Sequence, residues 1–80
     1  MDADRELTFG EKAVGITFNP SGDEKVQKVK ELYAQIIDIC HDVRSNATSA
    51  PSEVSRLASI AITEAQGAQM WAVKAITFKD

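Results

Sequence analysis

The sequence predicts a small all-α protein, an antiparallel two-helix hairpin with an irregular N-terminal segment. Two long segments repeat apolar residues at alternating steps of three and four, which is the spacing of one helix face. A short polar link, residues 45–50, separates them, and Pro51 suits the first turn of the second helix. We expect one domain over 1–80. Because 80 residues supply only a marginal core, we expect a compact homo-oligomer.

Within this domain, residues 1–20 are the N-terminal loop segment and about 21–45 the first helix. Ser21 and Glu24 form a capping-box pattern at its start. The apolar seam of this helix, which we expect to face the second helix, consists of Val26, Val29, Tyr33, Ile36, Cys40 and Val43.

The second helix, about 51–77, carries a stripe of small residues that lets another helix approach closely. The stripe consists of Ala58, Ala61, Ala65, Ala68, Ala72 and Ala75. Large apolar residues flank it: Leu57, Ile60, Ile62, Trp71, Val73, Ile76 and Phe78. A two-helix hairpin cannot bury all of them, so the surplus surface predicts association with further copies of the chain.

Composition excludes several classes of protein. The net charge of −3 argues against a duplex nucleic-acid binder. The sequence has no apolar run near the roughly 20 residues that span a bilayer. Cys40 stands alone and cannot form an internal disulfide, and the acidic N-terminus is unlike a signal peptide. A soluble intracellular protein is expected.

The catalytic and metal-binding patterns are missing. His41 is the single histidine, and on a helix it points about 100° away from Cys40, so the two cannot form a dyad within one chain. One histidine and one cysteine cannot complete a zinc site, and the glycines do not form a phosphate loop. We therefore expect a binding protein, not an enzyme, with no metal and no cofactor.

Two stretches are candidate ligand sites. The run 18–28 opens a turn into a helix, whose unpaired N–H groups and neighbouring lysines favour an anionic, ring-bearing ligand; the alternative is a capped helix with solvated lysines. One face of the second helix is rich in hydroxyls, which suits a polar ligand at a symmetry axis or, alternatively, an ordinary surface of weak helix formers. Its residues are Ser52, Arg56, Ser59, Thr63, Gln66, Gly67, Met70, Lys74 and Thr77.

The runs 9–15, 18–22, 56–64 and 68–77 resemble the phage anti-CBASS cyclic-oligonucleotide sponge family, the Vs.4-like proteins of T4-type phages. The same hairpin is similar to part of an anti-Thoeris sponge of cyclic ADP-ribose. The resemblance implies a helical homohexamer in the cytoplasm of an infected bacterium. Such a protein binds cyclic nucleotide second messengers without cleaving them, so that the defence effector stays silent.

The resemblance also assigns sites. Cyclic dinucleotides would lie between pairs of subunits, with Phe9 stacking on a base and Lys25, or else Lys28, on phosphate. The full dinucleotide set is Phe9, Gly10, Asn19, Pro20, Lys25 and Lys28. Cyclic trinucleotides would bind separately, around a threefold arrangement, at Arg56, Ser59 and Thr63.

Three alternatives stay open at this stage. The ligand could be a cyclic ADP-ribose isomer, although the chain lacks the extra N-terminal domain of the anti-Thoeris sponges. The hairpin could instead be a structural or adaptor oligomer that binds a host protein through its spare apolar surface. An enzyme that pools residues across subunits is the third alternative.

Overall fold

Three helices make up the computed structural model, which describes residues 5–48 and 52–80. They are α1 (Phe9–Val14), α2 (Glu24–Ser45) and α3 (Glu53–Thr77). The described residues contain no strand, and α2 and α3 pack along each other, so the predicted all-helical hairpin is confirmed. The core between the helices consists of Val14, Ala34, Ile37, Ile62 and Ala65.

The N-terminal segment, predicted to be irregular, contains the six-residue helix α1. Thr8 caps it, and Glu11 completes a capping box by accepting from the Thr8 backbone N–H at 2.9 Å. Gly15 ends it in the left-handed conformation, with φ of 64°, where glycine meets no steric penalty. A helix this short is stable only through its caps and its packing on α2, because isolated helices of this length do not form.

The starts of the long helices differ from the sequence expectation. Asp23, and not Ser21, is the N-cap of α2, and its carboxylate accepts from the backbone N–H of Lys25 at 2.7 Å. Ser21 lies two residues earlier, and its hydroxyl accepts from the Asp23 N–H instead. Helix α3 begins after Ser52, whose hydroxyl caps it. Pro51, expected in its first turn, lies outside the described residues.

The buried face of α2 is rotated from the predicted seam. Its buried residues are Val26, Lys30, Ala34 and Ile37. Ile36 and Val43, which we expected to face the second helix, are exposed, Ile36 by 47%. The reason is α1: it packs on α2 as well, so the buried face of α2 points into the wedge between α1 and α3.

The alanine stripe of α3 is buried only in part. Ala58 and Ala65 lie in the interface with α2, where they alternate with Ile62 and Gln69. By contrast, Ala68 and Ala75 are exposed. The stripe is therefore wider than the surface that one neighbouring helix covers.

The molecule is a thin slab, with extents of 47 × 34 × 12 Å between Cα atoms. Its thickness is about that of one helix, so the chain has no second layer to cover its broad faces. Large apolar side chains are correspondingly exposed, and they include Leu32, Ile39, Leu57, Ile60, Met70, Trp71 and Phe78. Across the described ranges, none of the helices combines the length and the apolar character needed to cross a membrane.

Candidate ligand-binding sites

The close approach of α1 to α2 determines where Phe9, the first residue of α1, lies. A Cβ atom built on Gly10 would lie 2.1 Å from the carbonyl oxygen of Ala34, so only glycine fits at this crossing. The backbone N–H of Gly10 donates to the Asp38 carboxylate at 2.7 Å. These two features fix the first turn of α1 on the surface of α2.

Phe9 lies at that first turn and stacks on His41 of α2. The ring centroids are 4.1 Å apart and the ring planes differ by 7°. The guanidinium of Arg44, one turn further along α2, lies 5.5 Å from the Phe9 centroid, with its Nη2 atom 3.1 Å from His41 Nδ1. Phe9 nevertheless stays 39% exposed. The residue that we expect to stack on a base is thus held from one side and open to solvent.

The turn before α2 is organised by its own polar groups. Asn19 donates from its side chain to the carbonyl of Asp23 at 3.1 Å and accepts from the Ser21 hydroxyl at 2.7 Å. Gly22 has a positive φ of 66°. Because Asp23 already accepts from the Lys25 N–H, a bound anion would have to compete with a carboxylate at this helix start.

Lys25 and Lys28 stand on the exposed side of the first two turns of α2. Within residues 5–48 and 52–80, neither ammonium group takes part in an ion pair. The ammonium groups of these two lysines, rather than the backbone N–H groups at the helix start, are therefore the groups that could bind a phosphate here.

Lys30 is a buried lysine that the sequence analysis did not single out. It is only 6% exposed, and its ammonium donates to the carbonyl of Gly15 at 3.0 Å and to that of Phe18. Burial lowers the pKa of this ammonium from its ordinary value. Lys30 thereby ties the end of α1 and the following turn to α2. Its position four residues from both Val26 and Ala34, which are apolar and buried, is the signal that could have revealed it.

A mostly apolar cavity lies between this turn and the end of α3. It is lined by Phe18, Asn19, Pro20, Ser21, Val26, Lys30, Val73 and Thr77. The structure thus brings two of the predicted ligand-contacting residues, Asn19 and Pro20, to one concave surface.

The rest of the predicted dinucleotide set is divided along α2. Phe9 lies beside His41, whereas Lys25 lies sixteen residues earlier on the same helix. At about 1.5 Å of rise per residue, the two are roughly 24 Å apart along the axis. One chain therefore does not bring Phe9 and Lys25 to a common ligand.

The predicted trinucleotide residues do come together. Arg56, Ser59 and Thr63 line one shallow depression on α3, with Ile60 and Glu64. The Arg56 guanidinium is paired with Glu53 at 3.0 Å, and this hydrogen bond lowers the pKa of the Glu53 carboxyl. Ser59 accepts from Arg44 at 3.3 Å, which connects this surface to the group beneath Phe9.

In the part of the chain that the structure describes, no cluster of three or more His, Cys, Asp or Glu side chains could hold a metal ion. Cys40 is half-buried beside the core and is a free thiol.

The described residues form an all-helical slab with an open aromatic ring, exposed cations and a hydroxyl-lined depression, which are features that suit a small helical ligand-binding protein. Comparison with protein families defines it further. The family described as Acb2/Tad1, hairpin domain, matches residues 11–77, and the chain belongs to this family. No curated protein and no solved structure matches significantly. The family implies an anti-defence role as a sponge of cyclic nucleotide messengers.

Proposed function

We propose that this protein is a phage-encoded inhibitor of bacterial anti-phage signalling, which binds cyclic dinucleotides, and also cyclic trinucleotides, without cleaving them. The observation that carries this proposal is the family match over residues 11–77. It acts in the cytoplasm of the infected bacterium, where the messengers are made. Sequestration lowers the free messenger concentration, so the effector that the messenger would activate stays silent.

The dinucleotide site in this proposal takes residues from two chains. Phe9 and Gly10 come from one copy, and Asn19, Pro20, Lys25 and Lys28 from another. The separation of about 24 Å along α2 supports this division, because a ligand smaller than that distance cannot touch both groups in one chain. The many large apolar side chains that are exposed on the single chain support assembly, and we propose a homohexamer.

Each group has a chemical role in this site. The open face of Phe9 stacks on a base, a contact that is worth about 1–3 kcal/mol when it is removed. The exposed ammonium groups of Lys25 and Lys28 neutralise the phosphates. The Asn19 amide, which the turn holds in place, hydrogen-bonds to the ligand.

The trinucleotide site is the depression on α3. Arg56 donates to phosphate there, and Ser59 and Thr63 supply hydroxyls from one face of the helix. The carboxylate of Glu53 already holds the Arg56 guanidinium, so an arriving phosphate must share or replace that partner. Binding at this site should consequently be more sensitive to salt than stacking at Phe9.

The first test is a thermal-shift series of the intact protein with cyclic GMP–AMP and cyclic tri-AMP. A ligand at 100 times its Kd stabilises by about 2.7 kcal/mol, a clear rise in melting temperature. The ligand recovered after denaturation should be unaltered. An altered ligand would indicate an enzyme. If no cyclic nucleotide changes the melting temperature, the sponge proposal is wrong and an adaptor that binds a host protein is favoured.

A cyclic ADP-ribose isomer is the second candidate ligand, because the matching family description joins both kinds of sponge. The same series with such an isomer distinguishes the two. A shift only with the ADP-ribose compound would assign the protein to the anti-Thoeris kind.

Charge-removal variants separate the two sites by calorimetry. Lys25→Ala should weaken cyclic GMP–AMP binding and spare cyclic tri-AMP, and Arg56→Ala should do the reverse. Lys79→Ala is the matched control, since it removes an exposed cation that belongs to neither set. Equal loss of both ligands in both variants would mean one site or strong coupling.

A further inference from the structure

We propose that His41 and Arg44 are positioning residues that hold Phe9 as a fixed platform for a ligand base, an inference that rests on the proposed function. The family match covers both positions but assigns a role to neither. Their role follows from the geometry around Phe9.

The hydrogen bond between Arg44 and His41 defines the state of the imidazole. Arg44 Nη2 lies 3.1 Å from His41 Nδ1, and a guanidinium can only donate. His41 Nδ1 is therefore the acceptor in this bond, which corresponds to the imidazole tautomer with its proton on Nε2.

The same bond shows which face of Phe9 is covered. The lone pair of Nδ1 lies in the imidazole plane, so the guanidinium lies beside the imidazole and not above it. Because this plane is within 7° of parallel to Phe9, both side chains lie in one layer against one face of the ring. The opposite face is left for a ligand, in agreement with the partial exposure of Phe9.

Arg44 anchors this layer to the rest of the fold. Its other terminal nitrogen donates to Ser59 of α3 at 3.3 Å. On the α1 side, Asp38 accepts from the Gly10 N–H, one residue from Phe9. The ring is thus supported from α2 and α3, and rotation away from the binding geometry would break the stack. A platform held before the ligand arrives loses less conformational entropy on binding.

A double-mutant cycle with cyclic GMP–AMP tests this role. His41→Ala should weaken binding by about 2- to 12-fold, the range to which the energy of one aromatic pair converts. In a Phe9→Ala background the same substitution should have no further effect, because His41 acts only through the ring. Gln35→Ala, an exposed residue of the same helix, is the control and should bind like the wild type.

His41→Phe and Arg44→Gln separate positioning from general stability. His41→Phe keeps a ring beneath Phe9 and should restore most of the affinity, whereas Arg44→Gln should give a partial loss. Losses of equal size in the wild-type and Phe9→Ala backgrounds would overturn the inference. So would a His41→Phe variant that folds but binds as weakly as His41→Ala.

A measurement without ligand keeps this inference separate from the proposed function. Imidazole nitrogen shifts should show the Nε2–H tautomer of His41 at neutral pH, and Phe9→Ala should move the His41 ring-proton resonances by removing a ring current. A wild-type protein that shows these signals but binds no cyclic nucleotide refutes the sponge and leaves the packing correct. The opposite tautomer, or unmoved resonances in a protein that binds, overturns the platform alone.

Discussion

Substitution of Gly10 by alanine tests whether α1 must lie directly on the backbone of α2. The new Cβ would lie 2.1 Å from the Ala34 carbonyl oxygen, about 1.4 Å inside an ordinary van der Waals separation. Both atoms are fixed to the backbone, so no rotamer change relieves the contact. Helix α1 must move away, and the hydrogen bond from the Gly10 N–H to Asp38 is then lost or lengthened.

The magnitude follows from these two effects. Overpacking costs about 1–3 kcal/mol, and a lost hydrogen bond to a charged group costs about 1.5–3 kcal/mol. The better helix propensity of alanine returns at most about 1 kcal/mol. We therefore expect Gly10→Ala to lower the free energy of unfolding by about 1.5–5 kcal/mol. Urea denaturation followed by circular dichroism, at a fixed chain concentration, measures this change.

Gly67→Ala provides the matched control. A Cβ at Gly67 has no neighbour within 4 Å, and the residue lies inside α3. That variant should be more stable than the wild type by about 0.5–1 kcal/mol. If Gly10→Ala unfolds within about 0.5 kcal/mol of the wild type, then the α1–α2 crossing does not depend on the missing side chain and the reasoning is refuted.

Three further substitutions test the core and the assembly. Lys30→Met should cost about 1.5–3 kcal/mol in urea denaturation, because the carbonyls of Gly15 and Phe18 lose a charged donor. Since burial lowers the Lys30 pKa, the unfolded chain binds more protons between the folded and unfolded pKa values. The wild type should therefore gain stability relative to Lys30→Met as the pH rises through that window, and parallel pH profiles would contradict this. Ala65→Leu should overpack the helix interface by about 1–3 kcal/mol, whereas the exposed Ala68→Leu should alter only the mass measured by light scattering. Equal unfolding costs for the two would contradict the buried and exposed assignments.

The two long helices of the hairpin could be predicted because their apolar periodicity extends over many turns. Residues 24–45 and 53–77 repeat apolar positions over many turns, and such repetition exceeds chance. Helix α1 was not predictable from periodicity, since six residues contain fewer than two turns. Its presence changed the rest of the interpretation, because it rotated the buried face of α2 and exposed Ile36.

Polar side chains whose environment is set by contacts between distant parts of the chain were also missed by the sequence analysis. Lys30 was not among the lysines considered in the sequence, yet its buried ammonium donates to the carbonyls of Gly15 and Phe18 in the turn that follows α1. His41 was considered only as a partner of Cys40 in a dyad and as a metal ligand. Its stack on Phe9 joins residues 32 positions apart in the sequence, and no local pattern encodes that contact.

The small thickness of the folded molecule links its assembly to its proposed activity. A slab about one helix thick cannot enclose a ligand, and it cannot cover its own apolar faces. In the proposed function, a second copy does both, because Phe9 of one chain and Lys25 of another meet at one ligand. A ligand that contacts two copies binds the assembled protein more tightly than the separate chains, so by linkage it stabilises the assembly by the same factor. Assembly and ligand binding are then coupled equilibria, and a substitution in the exposed apolar surface affects both the assembly and the affinity for the ligand.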